Sequence, residues 1–212
     1  MKEPHFYLKG PLDALHLLEI ARKIQGVRNR RRVKKEIRKS LELRSAGLAS
    51  APITLDICGG RCPYKPEYLN VDILPLKQVD IVANIAQHIP LPDDTVDEIF
   101  SCGTLEHFTI VELGKIIPEF YRILRPGALL TIGVPNMQKI AEAYINGKID
   151  FSTWNQYLYG ARKDEFDVHK VMFDFSSLRE TLQHYGFVDI KEEEYDLPFH
   201  KKEYMLKVTC KK

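Results

Sequence analysis

Residues 53–62 read Ile53-Thr-Leu-Asp-Ile-Cys-Gly-Gly-Arg-Cys62, and Tyr68-Leu-Asn-Val-Asp72 follows shortly after. A short apolar run meets an acidic residue and enters a glycine turn; a second apolar run ends at another acid. Glycine permits a sharp turn and a close approach of backbone to a ligand. A carboxylate just past a second strand can take both hydroxyls of a ribose, as in dinucleotide-binding folds. A Gly-Gly pair alone is a weak signal. The spacing to Asp72, with strand and helix patterns alternating beyond it, points to a nucleoside-containing cofactor.

The pattern continues outward in both directions. Strands are expected at 53–57, 68–73, 80–84 (Asp80-Ile-Val-Ala-Asn84), 96–101 and 128–134. Pro90, Pro92, Asp93 and Asp94 form a loop. Residues 110–124 make a helix broken at Pro118, and Arg125-Pro-Gly127 reads as a turn. A helix over 176–185 has Ser176 or Ser177 as its N-cap and Gly186 at its end. Strands at 187–191 and 203–209 close the chain. Such alternation predicts a mostly parallel sheet with helices on both faces. Residues 136–172 interrupt the rhythm and are rich in aromatics (Tyr144, Phe151, Trp154, Tyr157, Tyr159, Phe166).

Before the domain, apolar residues at Leu12, Leu15, Leu18, Ala21 and Ile24 suit an amphipathic helix that Gly26 ends. A second, very basic helix is expected at 28–44, with Val33, Ile37 and Leu41 as a narrow apolar stripe. Residues 22–44 hold 11 Lys/Arg against Glu36 and Glu42, a local charge of +9 in a chain of net +2. The plain reading is an arm whose stripe packs on the domain while its charges face water. The sharper ones are an anionic membrane surface or nucleic-acid phosphates. Ala46 to Pro52 is a small-residue linker, so residues 1–50 are an N-terminal extension and 51–212 the main domain.

With 212 residues there is room for one domain with a full core and an extension. No apolar run of 18 residues suits a membrane span, and Met1-Lys-Glu-Pro-His leads into no signal-peptide core. Cys58, Cys62, Cys102 and Cys210 are too few for a disulfide framework, which suggests reduced thiols in a cytosolic protein. Cys58 and Cys62 lack a second Cys/His pair at ligand spacing, so no metal site is expected.

The glycine turn, Asp72, Leu91-Pro-Asp-Asp-Thr-Val-Asp-Glu-Ile-Phe100, Leu105-Glu-His107 and Leu124-Arg-Pro-Gly127 occur in that order. Together they resemble the class I S-adenosylmethionine-dependent methyltransferases. More narrowly, they resemble the methyltransferase type 11 group and its members among bacterial surface-polysaccharide genes. The resemblance covers roughly residues 53–210. It implies a Rossmann-like three-layer sandwich with a seven-stranded sheet in the order 3-2-1-4-5-7-6, only the last strand antiparallel. It also implies S-adenosylmethionine as cofactor and S-adenosylhomocysteine as product. On that pattern Asp56, Cys58, Gly59 and Gly60 form the cofactor turn. Asp72 takes the ribose hydroxyls, Ile73 and Ile85 sandwich the adenine, and Asn84 stands where an acid usually meets the adenine amino group. Ser101, Cys102 and Gly103 lie beneath the cofactor. One departure is plain: cysteine stands at the first glycine position of the turn. If Cys58 adopts left-handed dihedrals, its Cβ costs about 1–2 kcal/mol.

Methyl transfer needs alignment above all. A hydroxyl acceptor often needs a general base, and histidine suits neutral pH. His169, in the inserted segment 136–172 expected to roof the substrate, and His107, at a helix start, are the candidates. The Asn/Asp-Pro-Pro-Tyr tetrapeptide of amino-directed nucleic-acid methyltransferases is absent, and no Pro-Cys pair follows the fourth strand. A saccharide or other small hydroxyl acceptor is therefore expected, with aromatics of 144–166 stacking on sugar faces or forming core beneath the lid. The alternatives are an RNA or other nucleic-acid methyltransferase anchored by the basic arm, and an inactive cofactor-binding regulatory protein. A cytosolic location, peripheral to a membrane if the arm binds one, fits the first reading.

Overall fold

The computed structural model describes residues 11–48 and 50–212, with side chains from Gly26 onward apart from Arg28 and Ala49. The side chains of the apolar stripe expected at Leu12–Ile24, and the whole segment Met1–His5, lie outside what is described. Seven strands form one sheet: β1 (Thr54–Ile57), β2 (Leu69–Asp72), β3 (Ile81–Val82), β4 (Val96–Cys102), β5 (Leu124–Pro135), β6 (Val188–Glu193) and β7 (Met205–Lys211). Their order is β3-β2-β1-β4-β5-β7-β6. Pairs from β3 across to β5 are parallel, and β7 runs antiparallel to both β5 and β6. This is the Rossmann-like sheet expected. Leu55, Ile57, Ile99, Leu130 and Ile132 are fully buried in its centre, as parallel strands covered on both faces require.

Among the described residues five α-helices accompany the sheet: α1 (Pro11–Ser45), α2 (Ile110–Ile123), α3 (Met137–Ile145), α4 (Phe151–Tyr159) and α5 (Phe175–His184). Several local expectations are corrected. Gly26 does not divide the arm; α1 is one continuous helix. An internal glycine costs only about 1 kcal/mol, and good helix formers flank it. Pro118 does not break α2, which begins in a Thr109–Glu112 capping box and buries Leu113, Ile116, Ile117, Phe120 and Ile123 on one face. That apolar face outweighs one lost backbone bond. Arg125-Pro-Gly127 lies inside β5. There the register jumps from Val96 opposite Leu124 to Glu98 opposite Leu129, and Gly127 has φ +77°. The extra residues loop out as a bulge, while strand pairing continues on either side. Asp174, not Ser176 or Ser177, caps α5; its carboxylate accepts from Ser177 N. Gly186 follows that helix with φ +91°, as a C-terminal glycine should.

The arm packs on the domain. Val33 is buried, and Ile37 and Leu41 lie against the main core. Asn29 donates to Asp80 at 2.8 Å. At the C-terminal end of α1, Arg44 pairs with Asp97 and donates to the carbonyls of Thr95 and Ala51. Asp97 also accepts from Ile53 N and Arg125. One carboxylate thus ties α1, β1 and β4 together at the bottom of the sheet, opposite the site. Among the described residues, no helix is long and apolar enough to cross a membrane.

Candidate active site

The C-terminal ends of β1 to β4 converge on a cavity of about 470 Å³, lined by Cys58, Asp72, Ile73, Asn84, Ile85, Gly103 and His107 among others. Ligands of open α/β sheets bind at this edge. A second cavity of about 260 Å³ adjoins it. Asp56, Gly59, Arg61, Phe100, Cys102, Phe199 and His200 line the second cavity, and Cys58 lines both.

The turn after β1 is built from side chains as well as glycines. Asp56 is buried and accepts from Tyr64 N at 2.6 Å. A Cβ on Gly59 would overlap an Asp56 carboxylate oxygen, so only glycine fits there. Gly60 has φ +54°, and its carbonyl accepts from Asn70 Nδ2 at 2.9 Å. Cys58 has φ +57°, so the cysteine does sit in left-handed backbone. Its thiol is pushed well up by burial and by the neighbouring carboxylates, Asp72 first. It stands in the seam between the two cavities as a thiol.

Asp72, at the end of β2, accepts from Leu74 N through Oδ1. Ile73 is partly exposed, Ile85 is buried, and both face the larger cavity. Asn84 lines it too, with its amide oxygen already accepting from Ala86 N at 3.0 Å. Ser101 is fully buried, does not line either cavity, and its Oγ has no hydrogen-bond partner. Cys102 lies in the wall of the smaller cavity, where its sulfur meets Tyr195 Oη at 3.4 Å. Gly103 takes φ +64° at the end of β4. Thr104 Oγ1 then donates to the Ile57 carbonyl, holding the ends of β1 and β4 together.

Leu105–His107 forms a separate 3-10 turn and not the start of the next helix. The Glu106 carbonyl accepts from the backbone N–H groups of Lys170 and Val171. These two bonds seat the inserted segment beside the turn and bring His169 to His107, with ring centroids 4.9 Å apart. His107 Nδ1 lies 3.2 Å from Val168 O, and His169 Nδ1 2.7 Å from Tyr157 O. In each ring Nδ1–H donates to a carbonyl, so Nε2 keeps its lone pair. Burial holds both imidazoles below the ordinary histidine range, aided at His107 by the charge of His169.

Sequence reasoning missed Glu106, Asn70 and His200. Glu106 is wholly buried, and burial raises its carboxyl to about 8 against the backbone N–H bonds that lower it. The signal was available, since Glu106 adjoins His107 in a buried apolar turn. Asn70 is readable only as part of a strand. His200 gave no signal beyond its residue type. Of the aromatics at 144–166, only Phe166 lines the larger cavity; Tyr144 and Trp154 stack on each other instead.

The family profile described as Methyltransferase domain matches residues 43–132. A curated relative, the malonyl-[acyl-carrier protein] O-methyltransferase of Yersinia pestis, is 29% identical over 100 residues, 46% of this chain. The match spans only about a third of that relative's length (34%). A methyltransferase structure from Archaeoglobus fulgidus, described as SAM dependent, superposes with a TM-score of 0.52 at 17% identity, covering 84% of this chain and 94% of its own. The Haemonchus contortus phosphoethanolamine N-methyltransferase 2, bound to phosphomonomethylethanolamine and S-adenosylhomocysteine, gives 0.53 at 14% identity, over 84% of this chain and 52% of that one. Residues 43–132 are thus similar to a methyltransferase domain, and the seven-stranded sheet has the fold of the solved methyltransferases on which the chain superposes.

Proposed function

We propose that the chain binds S-adenosylmethionine across the larger cavity, with its amino-acid end on the Asp56–Gly60 turn in the wall of the smaller one, and methylates an oxygen of a small acceptor held in the rest of the smaller cavity, a saccharide hydroxyl being the favoured class. The observation that carries this is the meeting of Asp72, Asn84 and Ile85 with the Asp56–Gly60 turn at one end of the sheet. The donor set fits the cofactor. Asp56 is raised to about 6, first by burial and further by the charge of Asp72, so the turn holds carboxylates short of a counter-charge. A cofactor bearing an ammonium and a sulfonium supplies it. Asp56 takes the ammonium in this reading, Asp72 the ribose hydroxyls and Asn84 the adenine amino group. Ile73 and Ile85 cover the faces of the base.

When bound, the cofactor supplies an electrophilic methyl group. The chain's own residues hold the acceptor oxygen in line and exclude water. Cys58, shared by both cavities, marks where they meet. Phe199 offers a ring to a sugar, while Phe100 is stacked on Tyr64 behind it, and Arg61 offers hydrogen bonds to a hydroxyl or an anionic substituent. His169 lines neither cavity and stands behind His107, which lines the larger one, so in this reading the proton that the acceptor oxygen loses reaches His169 by way of His107. Segment 136–172 acts as the cover, since Asp164, Phe166 and Lys170 line the larger cavity.

A second reading has one observation in its favour. Arg31, Arg32, Lys34, Lys35, Arg38 and Lys39 are exposed on α1, leaving a cationic face on a packed helix. That face suits a membrane-borne acceptor or a nucleic acid. Calorimetric titration with S-adenosylmethionine, followed by a mass-shift screen of sugars, carboxylates and RNA, tests the proposal. Micromolar cofactor binding, weakened about 10- to 100-fold in Asp72→Ala by loss of charged hydrogen bonds, and a gain of one methyl group on a sugar support it. Undiminished binding in that variant removes Asp72 from the site, and a gain on RNA alone transfers the assignment to the second reading.

A further inference from the structure

We infer that Glu106, His107 and His169 form a binding site for one divalent first-row transition ion between the two cavities of the cleft. One donor atom from each of the three lies within 4.8 Å of the others. Two histidines and a carboxylate, with positions left open, make a ligand set typical of such ions. Bonds of about 2.0–2.2 Å place any two ligand atoms no more than about 4.4 Å apart, so small side-chain rotations close the set.

Two independent features point to a ligand here. Glu106 Oε2 is fully buried and has no hydrogen-bond partner among the described residues. An unpaired carboxylate oxygen in that position is costly unless something cationic meets it. The histidines are also held as metal-ligating histidines usually are, with the second ring nitrogen donating outward to a fixed carbonyl. Val168 O and Tyr157 O serve that role for His107 and His169.

A fourth group stands near. A Cβ built on Gly103 would lie 3.0 Å from His200 Nε2 and 4.0 Å from Glu106 Oε1. His200 lines the smaller cavity and His107 the larger. An ion among these groups therefore sits between the two cavities and offers its open positions to an oxygen acceptor. With the ion bound, His107 and His169 serve as ligands, and the ion lowers the acceptor's proton affinity in place of free imidazole. This role in turnover rests on the methyltransferase reading; ion binding itself does not.

The test uses the full chain, stripped with a chelator, and Co²⁺ as the probe, with no cofactor present. The expected result is one equivalent bound, with a visible d–d spectrum and no thiolate charge-transfer band. Glu106→Gln keeps the shape of the carboxyl, and His169→Asn shortens the ring to a single amide. Each should weaken Co²⁺ binding by more than the roughly 10- to 100-fold that losing an outer-shell partner costs, with an unchanged circular dichroism spectrum. If one variant fails to fold, the other still decides. Absence of stoichiometric binding, a thiolate band, or wild-type affinity in a folded variant overturns the assignment. Cofactor titration is read separately: Co²⁺ binding without S-adenosylmethionine binding defeats only the enzyme reading, and the reverse defeats only this one.

Discussion

Replacing Asp56 by asparagine should stabilise the cofactor-free protein while weakening cofactor binding. Burial, reinforced by the charge of Asp72 and opposed by the bond from Tyr64 N, raises the Asp56 carboxyl from 3.8 to about 6. The folded state therefore holds a proton that the unfolded chain releases. Stability from this group is complete below about pH 3.8 and is lost as pH rises through about 6. At about 1.4 kcal/mol per unit, the ionised aspartate costs up to about 3 kcal/mol at about pH 8 and roughly 0.5 kcal/mol at about pH 4. Asparagine never ionises, and its amide oxygen keeps the 2.6 Å bond from Tyr64 N. Urea unfolding without cofactor should show Asp56→Asn more stable than wild type by about 1–3 kcal/mol at about pH 8 and nearly equal to it at about pH 4. In calorimetry at the higher pH, the same variant should bind S-adenosylmethionine about 10- to 100-fold more weakly, because a charged hydrogen bond is lost. A variant that is less stable by the same amount at both pH values would refute the reasoning. It would mean that Asp56 is held by its hydrogen bond and not opposed by its charge.

Two further substitutions probe the frame around the site. Gly160 has φ +76°, and a Cβ there would stand 2.5 Å from Asp167 O. Gly160→Ala should cost at least about 1–2 kcal/mol and open the Arg162–Lys163 stretch to trypsin; wild-type stability with wild-type protease resistance would contradict the loop geometry that seats His169. Burial raises the Asp97 carboxyl, but the bonds from Ile53 N, Arg44 and Arg125 outweigh it and hold it below the usual carboxylate range. Its stabilisation is present above that range and is lost as pH falls through the depressed value. Asp97→Ala should therefore cost about 1–3 kcal/mol at neutral pH, with the penalty shrinking in acid; denaturant curves giving a pH-independent penalty would show that packing, not charge, is what Asp97 contributes.

The sheet was legible because its evidence is local and ordered. Most strands read as short apolar runs, and the ordered motifs from the glycine turn and Asp72 onward carry the family resemblance that implies the sheet order. The Glu106 cluster was not legible, because its members meet only through tertiary structure. His169 lies 62 residues beyond His107 in the chain. What joins them is a pair of backbone bonds from residues 170 and 171 to the Glu106 carbonyl, and backbone bonding of this kind leaves no mark on residue type. Single-residue breakers misled for a related reason. Gly26 and Pro118 each carry a local penalty of a few kcal/mol at most, and each sits in a helix that continues through it, whereas Pro126 is carried in a bulge that loops out of β5. Cys58 shows both sides of the division. That a cysteine replaces the usual glycine was visible in the sequence; whether it costs anything depended on φ, which is +57°. The turn therefore carries about 1–2 kcal/mol of backbone strain from the Cys58 Cβ, and among the described residues Cys58 is the side chain shared by the walls of both cavities. A glycine there would relax the backbone and widen the seam between them. Strain that persists at a cleft, held in place by the surrounding fold, marks a residue set by the shape of the site more than by the stability of the chain.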